Sequence, residues 1–179
     1  MRPLSKPQHT NPHMQWSNTL KCAHTKRNAI VIYDTKYGNT ETLAKALATG
    51  LIQQGVPCDC CNIADVAVKQ VARYTFLAIG GPTHMAGMSK SMKQFLNTLQ
   101  QCDLRGKTGF CFDTRVASRL NRFDLNSAAR RIEKRLKRMQ VTLLKKRQSA
   151  LVLGREGPLD PGVEQRFERL GIELGTLLH

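Results

Sequence analysis

The amino-acid sequence predicts an α/β fold in which a doubly wound, five-stranded parallel sheet carries helices on both faces. Strand-like and helix-like segments alternate five times along the chain, which is the pattern of repeated β-α units. The strand-like runs are short and mostly apolar, as is typical of parallel strands buried on both faces. With 179 residues, of which 41% are hydrophobic, the chain suffices for one such domain and its core.

Three strands and two helices are predicted in the first half of the domain. Apolar residues at helical spacing indicate a helix that begins at Asn39, and Gly55 ends that pattern. The third strand ends in a Gly-Gly-Pro sequence, which marks a turn. In chain order the predicted elements are strand 28–35, helix 39–55, strand 56–62, short helix 64–72 and strand 74–81.

Two strands and three helices complete the predicted domain. The apolar residues of the first two of these helices fall on one face, and a proline at the first turn supports the start of the last helix. In chain order these elements are helix 89–100, strand 107–114, helix 126–140, strand 149–154 and helix 161–178.

The net charge of +15 is concentrated in two segments. Residues 1–28 contain basic residues and no acid, and their Pro-, Asn- and His-rich composition predicts a flexible basic arm that precedes a domain over 29–178. A targeting peptide, a translation start at Met14 and a functional arm are the three explanations for this segment. Residues 115–147 form the second basic segment, and the rest of the chain is balanced in charge.

The spacing of cysteines and histidines and the length of the apolar runs argue against a disulfide framework, a metal site and a membrane-spanning helix. The six cysteines form no CxxC pair and no metal-ligand spacing with histidine, so we expect buried, reduced thiols in a cytoplasmic protein. No apolar run approaches the roughly 20 residues that a membrane-spanning helix needs. No acid, base and nucleophile form a recognisable constellation, so no catalytic residue and no metal ligand is assigned.

Three loops at the carboxyl ends of predicted strands, 35–40, 82–88 and 113–119, are the candidate ligand-binding segments, because ligands of doubly wound sheets bind at that edge. The first joins a buried strand to a helix N-terminus, where unpaired backbone N–H groups and the helix dipole favour a phosphate. Helix capping by Asn39 or Thr40 is the alternative explanation. Neither GxxxxGK[ST] nor GxGxxG occurs here, which disfavours nucleoside triphosphates and dinucleotides.

The sequences of these loops resemble those of flavodoxins over about residues 29–178. YDTKYGNTETLAKAL is similar to the flavodoxin phosphate loop and first helix, IGGPTHMAGMSKSMKQFL to the second flavin-contacting loop and its helix, and FCFDTRV to the third loop. The resemblance implies strand order 2-1-3-4-5 and bound flavin mononucleotide (FMN), held by its phosphate at the first strand and by its ring between the other two loops.

The resemblance implies a role for each loop. It places the phosphate among Thr35, Lys36, Tyr37, Gly38, Asn39 and Thr40. It places one side of the flavin ring against Pro82, Thr83, His84, Met85, Ala86 and Gly87, and the other side against Asp113, Thr114 and Arg115. His84 is either a hydrogen-bond donor to the flavin or an exposed loop residue, and Gly87 either a peptide that reorients with the redox state or a tight turn.

Three functions are compatible with the sequence. An FMN-binding electron-transfer protein is the leading hypothesis, with the flavin supplying the chemistry. An NAD(P)H-dependent quinone or porphyrinogen oxidoreductase of the same fold is the first alternative. The second is a flavin-free module that binds a polyanion or a partner through the basic helix. The basic 115–147 segment is expected to dock an acidic redox partner, and nucleic acid is a secondary candidate.

Overall fold

The computed structural model describes residues 27–84, 87–116 and 127–179. The predicted arm lies outside the described residues except for its last two positions. The strands are β1 (Ala29–Tyr33), β2 (Cys58–Asn62), β3 (Phe76–His84), β4 (Gly87–Met88), β5 (Thr108–Val116), β6 (Thr142–Leu143) and β7 (Gln148–Val152). The helices are α1 (Asn39–Gln53), α2 (Lys90–Leu99), α3 (Ala128–Arg138) and α4 (Val163–Leu177).

The sheet has the predicted doubly wound topology. Its order is β2-β1-β3-β5, with β6 and β7 following one another along the far edge of β5, where they pair with its first and second halves. All of these pairs are parallel, and the two-residue β4 pairs antiparallel with the end of β3. The fold class and the order 2-1-3-4-5 are therefore confirmed, with the fifth strand divided into two pieces.

The division of the fifth strand follows from the cations between its pieces. Residues 144–147 leave the ladder, and they include Lys145, Lys146 and Arg147. Lys145 forms an ion pair with Glu173, and Arg147 forms one with Glu133. A continuous strand here would alternate these charges between the two faces of the sheet and bury some of them, at high cost.

Two other elements differ from the sequence prediction. The predicted helix 64–72 is a short 3-10 helix over Val68–Arg73, because Asn62 first closes a turn by accepting a hydrogen bond from the backbone N–H of Ala64 at 2.9 Å. Strands β3 and β5 extend beyond their predicted ends to His84 and Val116. They thereby carry residues of the second and third candidate loops within the sheet.

The two faces of the sheet build two hydrophobic cores. Along β1, Ala29, Val31 and Tyr33 face α1 and α4, while Ile30 and Ile32 face α2 and α3. This alternation follows from the two-residue period of a strand. On the first face, α1 and α4 approach so closely that a β-carbon added at Gly50 would lie 2.0 Å from the backbone oxygen of Glu168.

The five described cysteines are free thiols, of which Cys111 is buried and the others are half-buried. Burial is the largest cause that raises the pKa of Cys58 to about 12 and the pKa of Cys60 to about 11. Both thiols lie on the edge strand β2 and are protonated at neutral pH, which disfavours reaction as thiolate nucleophiles. Cys22 lies outside the described residues.

Candidate functional site

The carboxyl ends of three adjacent strands bring the candidate loops to one edge of the sheet. Tyr33 at the end of β1 lies opposite Gly80 of β3, and Pro82 of β3 lies opposite Thr114 of β5. Because the chain leaves β1 toward β2 on one side and returns to β3 on the other, this edge contains the topological switch point.

The first loop has the backbone geometry of an anion site. Gly38 immediately precedes α1 with φ +84°, a left-handed conformation that L side chains rarely adopt, and a β-carbon there would have no atom within 4 Å. The Thr35 hydroxyl oxygen accepts the Gly38 N–H at 3.0 Å, and the Gly38 carbonyl accepts the Thr42 N–H. The loop is therefore fixed while the space in front of it stays open.

Several amides of this loop have no acceptor within the described parts of the chain. They are the backbone N–H groups of Lys36, Tyr37, Asn39, Thr40 and Glu41. The last three belong to the first turn of α1, where the helix itself supplies no acceptor. Donors at a helix N-terminus, together with the positive end of its dipole, suit a phosphate group.

The side chains around these amides do not oppose an anion. Thr40 and Thr114 are buried and share a hydroxyl–hydroxyl hydrogen bond of 2.9 Å, which ties the start of α1 to the end of β5. The hydrogen bond from Lys45, at 2.7 Å, is the largest cause that lowers the pKa of Glu41. This pairing offsets the one acidic charge in the first turn of α1. The Lys36 ammonium lies 5.1 Å from the centre of the exposed Tyr37 ring.

The second loop is a hairpin between β3 and β4. Thr83 pairs with Met88 and His84 with Gly87, while Met85 and Ala86 lie outside the described residues. His84 is exposed, and Pro82 and Thr83 are half-buried. Gly87 has φ +94°, and a β-carbon there would lie 2.6 Å from Nε of Arg131, so an α3 arginine packs on this turn.

Asp113, at the carboxyl end of β5, is fully buried. Its Oδ2 accepts hydrogen bonds from Ser127 Oγ at 2.5 Å, Thr83 Oγ1 at 2.6 Å and the Ala129 N–H at 3.1 Å. The carboxylate thereby joins β3, β5 and the N-terminus of α3, where negative charge is favoured. These bonds hold the β3–β4 hairpin and the start of α3 in place on the buried side of the candidate site. Arg115, two residues further along β5, is half-buried and nearer to solvent.

Two polar connections at this edge were not predicted from the sequence. Asp34, the residue after β1, accepts hydrogen bonds from Ser89 and from Ser91, the latter at 3.0 Å, and so joins β1 to the start of α2. Asn39 does not direct its amide to the open loop: its Nδ2 donates to the Glu156 carbonyl at 2.9 Å. An acid directly after a strand and a serine pair at a helix start were the available signals for the first connection.

The basic helix α3 flanks this edge. Glu133 is the one acid within Ala128–Arg138, and its carboxylate is bonded by Lys137 at 2.6 Å and by Arg147 at 2.7 Å. Burial alone would raise the pKa of Glu133, but the hydrogen bonds from these two cations outweigh it and lower the pKa. The helix therefore retains a net positive charge next to the candidate site.

Comparison with known proteins agrees with this architecture. A family model described as Flavodoxin matches residues 31–169. A curated flavodoxin from Clostridium saccharobutylicum is 29% identical over 85 residues, which are 47% of this chain and 53% of the relative. The chain spans about half the length, or less, of the curated relatives it matches.

Solved structures of flavodoxins share the fold. An archaeal flavodoxin has a TM-score of 0.71 and 24% identity, covering 84% of this chain and 98% of the relative. The oxidised Flavodoxin 2 from Bacillus cereus has a TM-score of 0.72 and 16% identity, covering 84% of this chain and 99% of the relative.

Fold and loop together define a doubly wound α/β protein whose 35–40 loop presents backbone amides at the switch point. Since the family model covers most of the domain, the chain belongs to the flavodoxin family.

Proposed function

We propose that this protein binds FMN at the carboxyl edge of the sheet and transfers electrons through it. The observation that carries the proposal is the set of α1 and loop amides, from Lys36 to Glu41, that have no acceptor within the described residues. A phosphate monoester dianion is an acceptor of suitable charge for several such donors. The space in front of Gly38 leaves room for its oxygens.

The flavin ring would lie between the second and third loops. His84 is the exposed hydrogen-bonding side chain of the hairpin, and Arg115 and Arg131 supply positive charge at this edge. When bound, the flavin supplies the electron-accepting and electron-donating chemistry. The chain anchors the phosphate, orients the ring and stabilises negative charge that reaches the ring on reduction.

The test of this proposal is reconstitution of the purified protein with FMN. We expect a stoichiometric complex with a flavin absorbance spectrum and quenched flavin fluorescence, and we expect reduction and reoxidation to leave the flavin bound. Failure to retain FMN during gel filtration at micromolar protein would contradict the proposal. Reduction of a quinone by NAD(P)H at a catalytic rate would assign the protein to the oxidoreductase alternative instead.

An acidic redox protein is the proposed partner, and the cytoplasm the proposed location. The positive charge of α3 supports the partner, because complementary charge accelerates encounter. No helix among the described residues has the length and apolar character to cross a membrane. Electron exchange with an acidic protein should slow as salt rises above about 0.1 M. A rate independent of salt would show that the basic helix α3 is not part of the docking surface.

A further inference from the structure

The loop that connects β7 to α4, residues 153–162, reaches the start of α1 next to the first candidate loop, residues 35–40. Its tip is held by the Asn39 amide, which donates to the Glu156 carbonyl at 2.9 Å. Gly157 packs against the same amide: a β-carbon there would lie 3.0 Å from Oδ1 and 3.3 Å from Nδ2 of Asn39. Gly157 also has φ +131°, a conformation that favours glycine. The two segments are therefore fitted to each other from both sides.

The base of this loop is closed by its own backbone. The Leu153 N–H donates to the Pro158 carbonyl at 2.9 Å, and the Asp160 N–H donates to the Leu151 carbonyl at 3.0 Å. Leu153, Arg155 and Glu156 are exposed and the half-buried Leu159 packs on the core beyond them, so little apolar burial fixes the tip of the loop. Segments of this kind open locally at low free energy. The contact with Asn39 is thus well placed to decide how often the loop opens.

Asn39 takes part both in the contact with the β7–α4 loop and in the group of open amides at the start of α1. Its side chain holds the β7–α4 loop, and its backbone N–H is one of the α1 donors without an acceptor in the described residues. When the β7–α4 loop already holds the Asn39 side chain, a ligand that binds the Asn39 backbone N–H loses less conformational entropy in ordering this residue. The reverse holds when the ligand is bound first.

We propose that Asn39 is a positioning residue that couples occupancy of the phosphate site to the order of the β7–α4 loop. The coupling to the ligand rests on the proposed FMN function. It makes the loop a fourth wall of the site, in addition to the three strand-end loops. By linkage, a phosphate that orders Asn39 protects the loop, and an ordered loop strengthens phosphate binding by the same factor.

Amide hydrogen exchange of the full-length protein without ligand tests the contact itself. In Asn39→Ala, we expect the amides of Leu153 and Asp160 to exchange about fivefold faster. This factor corresponds to the free energy of the one hydrogen bond that the substitution removes. Gly157→Ala should produce the same change from the other side of the contact, and the double variant should add little to either. Gln53→Ala is the matched control, because Gln53 also bonds α1 to α4, through Glu168 at 2.6 Å, but remote from the loop.

Ligand titrations test the coupling. FMN should slow exchange at Leu153 and Asp160 in the natural sequence, and Asn39→Ala should weaken FMN binding about fivefold while riboflavin, which lacks the phosphate, binds as before. Equal exchange of these amides in Asn39→Ala and the natural sequence would overturn the contact. Equal FMN affinity would overturn the coupling. If the natural sequence binds no FMN, the proposed function and the coupling fail, whereas the ligand-free exchange still decides the contact.

Discussion

Replacing Asp113 with alanine is expected to lower the free energy of unfolding by about 4 kcal/mol, because two buried donors and one half-buried donor lose their acceptor. The Ser127 and Thr83 hydroxyls and the Ala129 N–H all converge on Oδ2 of a side chain with no exposed surface. Water cannot replace the carboxylate without opening the junction of β3, β5 and α3. Urea unfolding followed by circular dichroism measures the change.

The effect of this variant should extend to the ligand. Thr83 and Ser127 position the hairpin and the α3 N-terminus, so we expect weaker FMN binding in whatever fraction of Asp113→Ala folds. Asp113→Asn keeps an acceptor oxygen and should lose less stability. Asp65→Ala is the control, because Asp65 is exposed and its carboxylate accepts no hydrogen bond from the described residues. An Asp113→Ala variant as stable as this control would contradict the proposed anchor.

Gly50→Ala is expected to destabilise the protein by about 3 kcal/mol, although alanine is the better helix former by about 1 kcal/mol. The added methyl would lie 2.0 Å from the Glu168 carbonyl oxygen and 2.7 Å from the Ile172 nitrogen, both in the backbone of α4. A backbone cannot rotate aside as a side chain can, so the two helices must separate along their shared core. Thermal and urea unfolding both report this loss.

The neighbouring position supplies the control for the helix contact. Thr49 is exposed on the same turn of α1, so Thr49→Ala should leave stability within about 0.5 kcal/mol of the natural sequence. If Gly50→Ala unfolds at the same urea concentration as Thr49→Ala, the close approach of α1 and α4 is wrong.

Most of the fold was predictable because parallel strands buried on both faces leave a strong pattern. AIVIY in β1 and FLAIGG in β3 are apolar runs that admit few alternatives, and their order along the chain follows the β-α repeat. The break between β6 and β7 was not predictable from periodicity. It depends on the ion pairs that Lys145 forms with Glu173 and Arg147 forms with Glu133, and these acids are distant in sequence.

The candidate site was predictable at its backbone and less so at its side chains. A strand, a glycine turn and a helix start define the amides of residues 36–41 from local sequence alone. The direction of the Asn39 amide and the burial of Asp113 depend on the β7–α4 loop and on α3, which meet these residues only in the folded chain. The ligand-binding roles assigned to residues of all three loops stay predictions, and Met85, Ala86 and positions 117–119 lie outside the described residues.

The affinity of FMN relative to riboflavin tests the central claim most directly, since the two ligands differ by the phosphate. If the amides around Gly38 bind that group, FMN should bind at least about 100-fold more tightly, the equivalent of about 2.7 kcal/mol from charge-assisted hydrogen bonds. Gly38→Ala should reduce this ratio by weakening FMN alone. Gly106→Ala is the matched control, since Gly106 has φ +75° and open space like Gly38 but lies in the turn before β5. Equal affinities for FMN and riboflavin, or a ratio that Gly38→Ala leaves intact, would contradict the account.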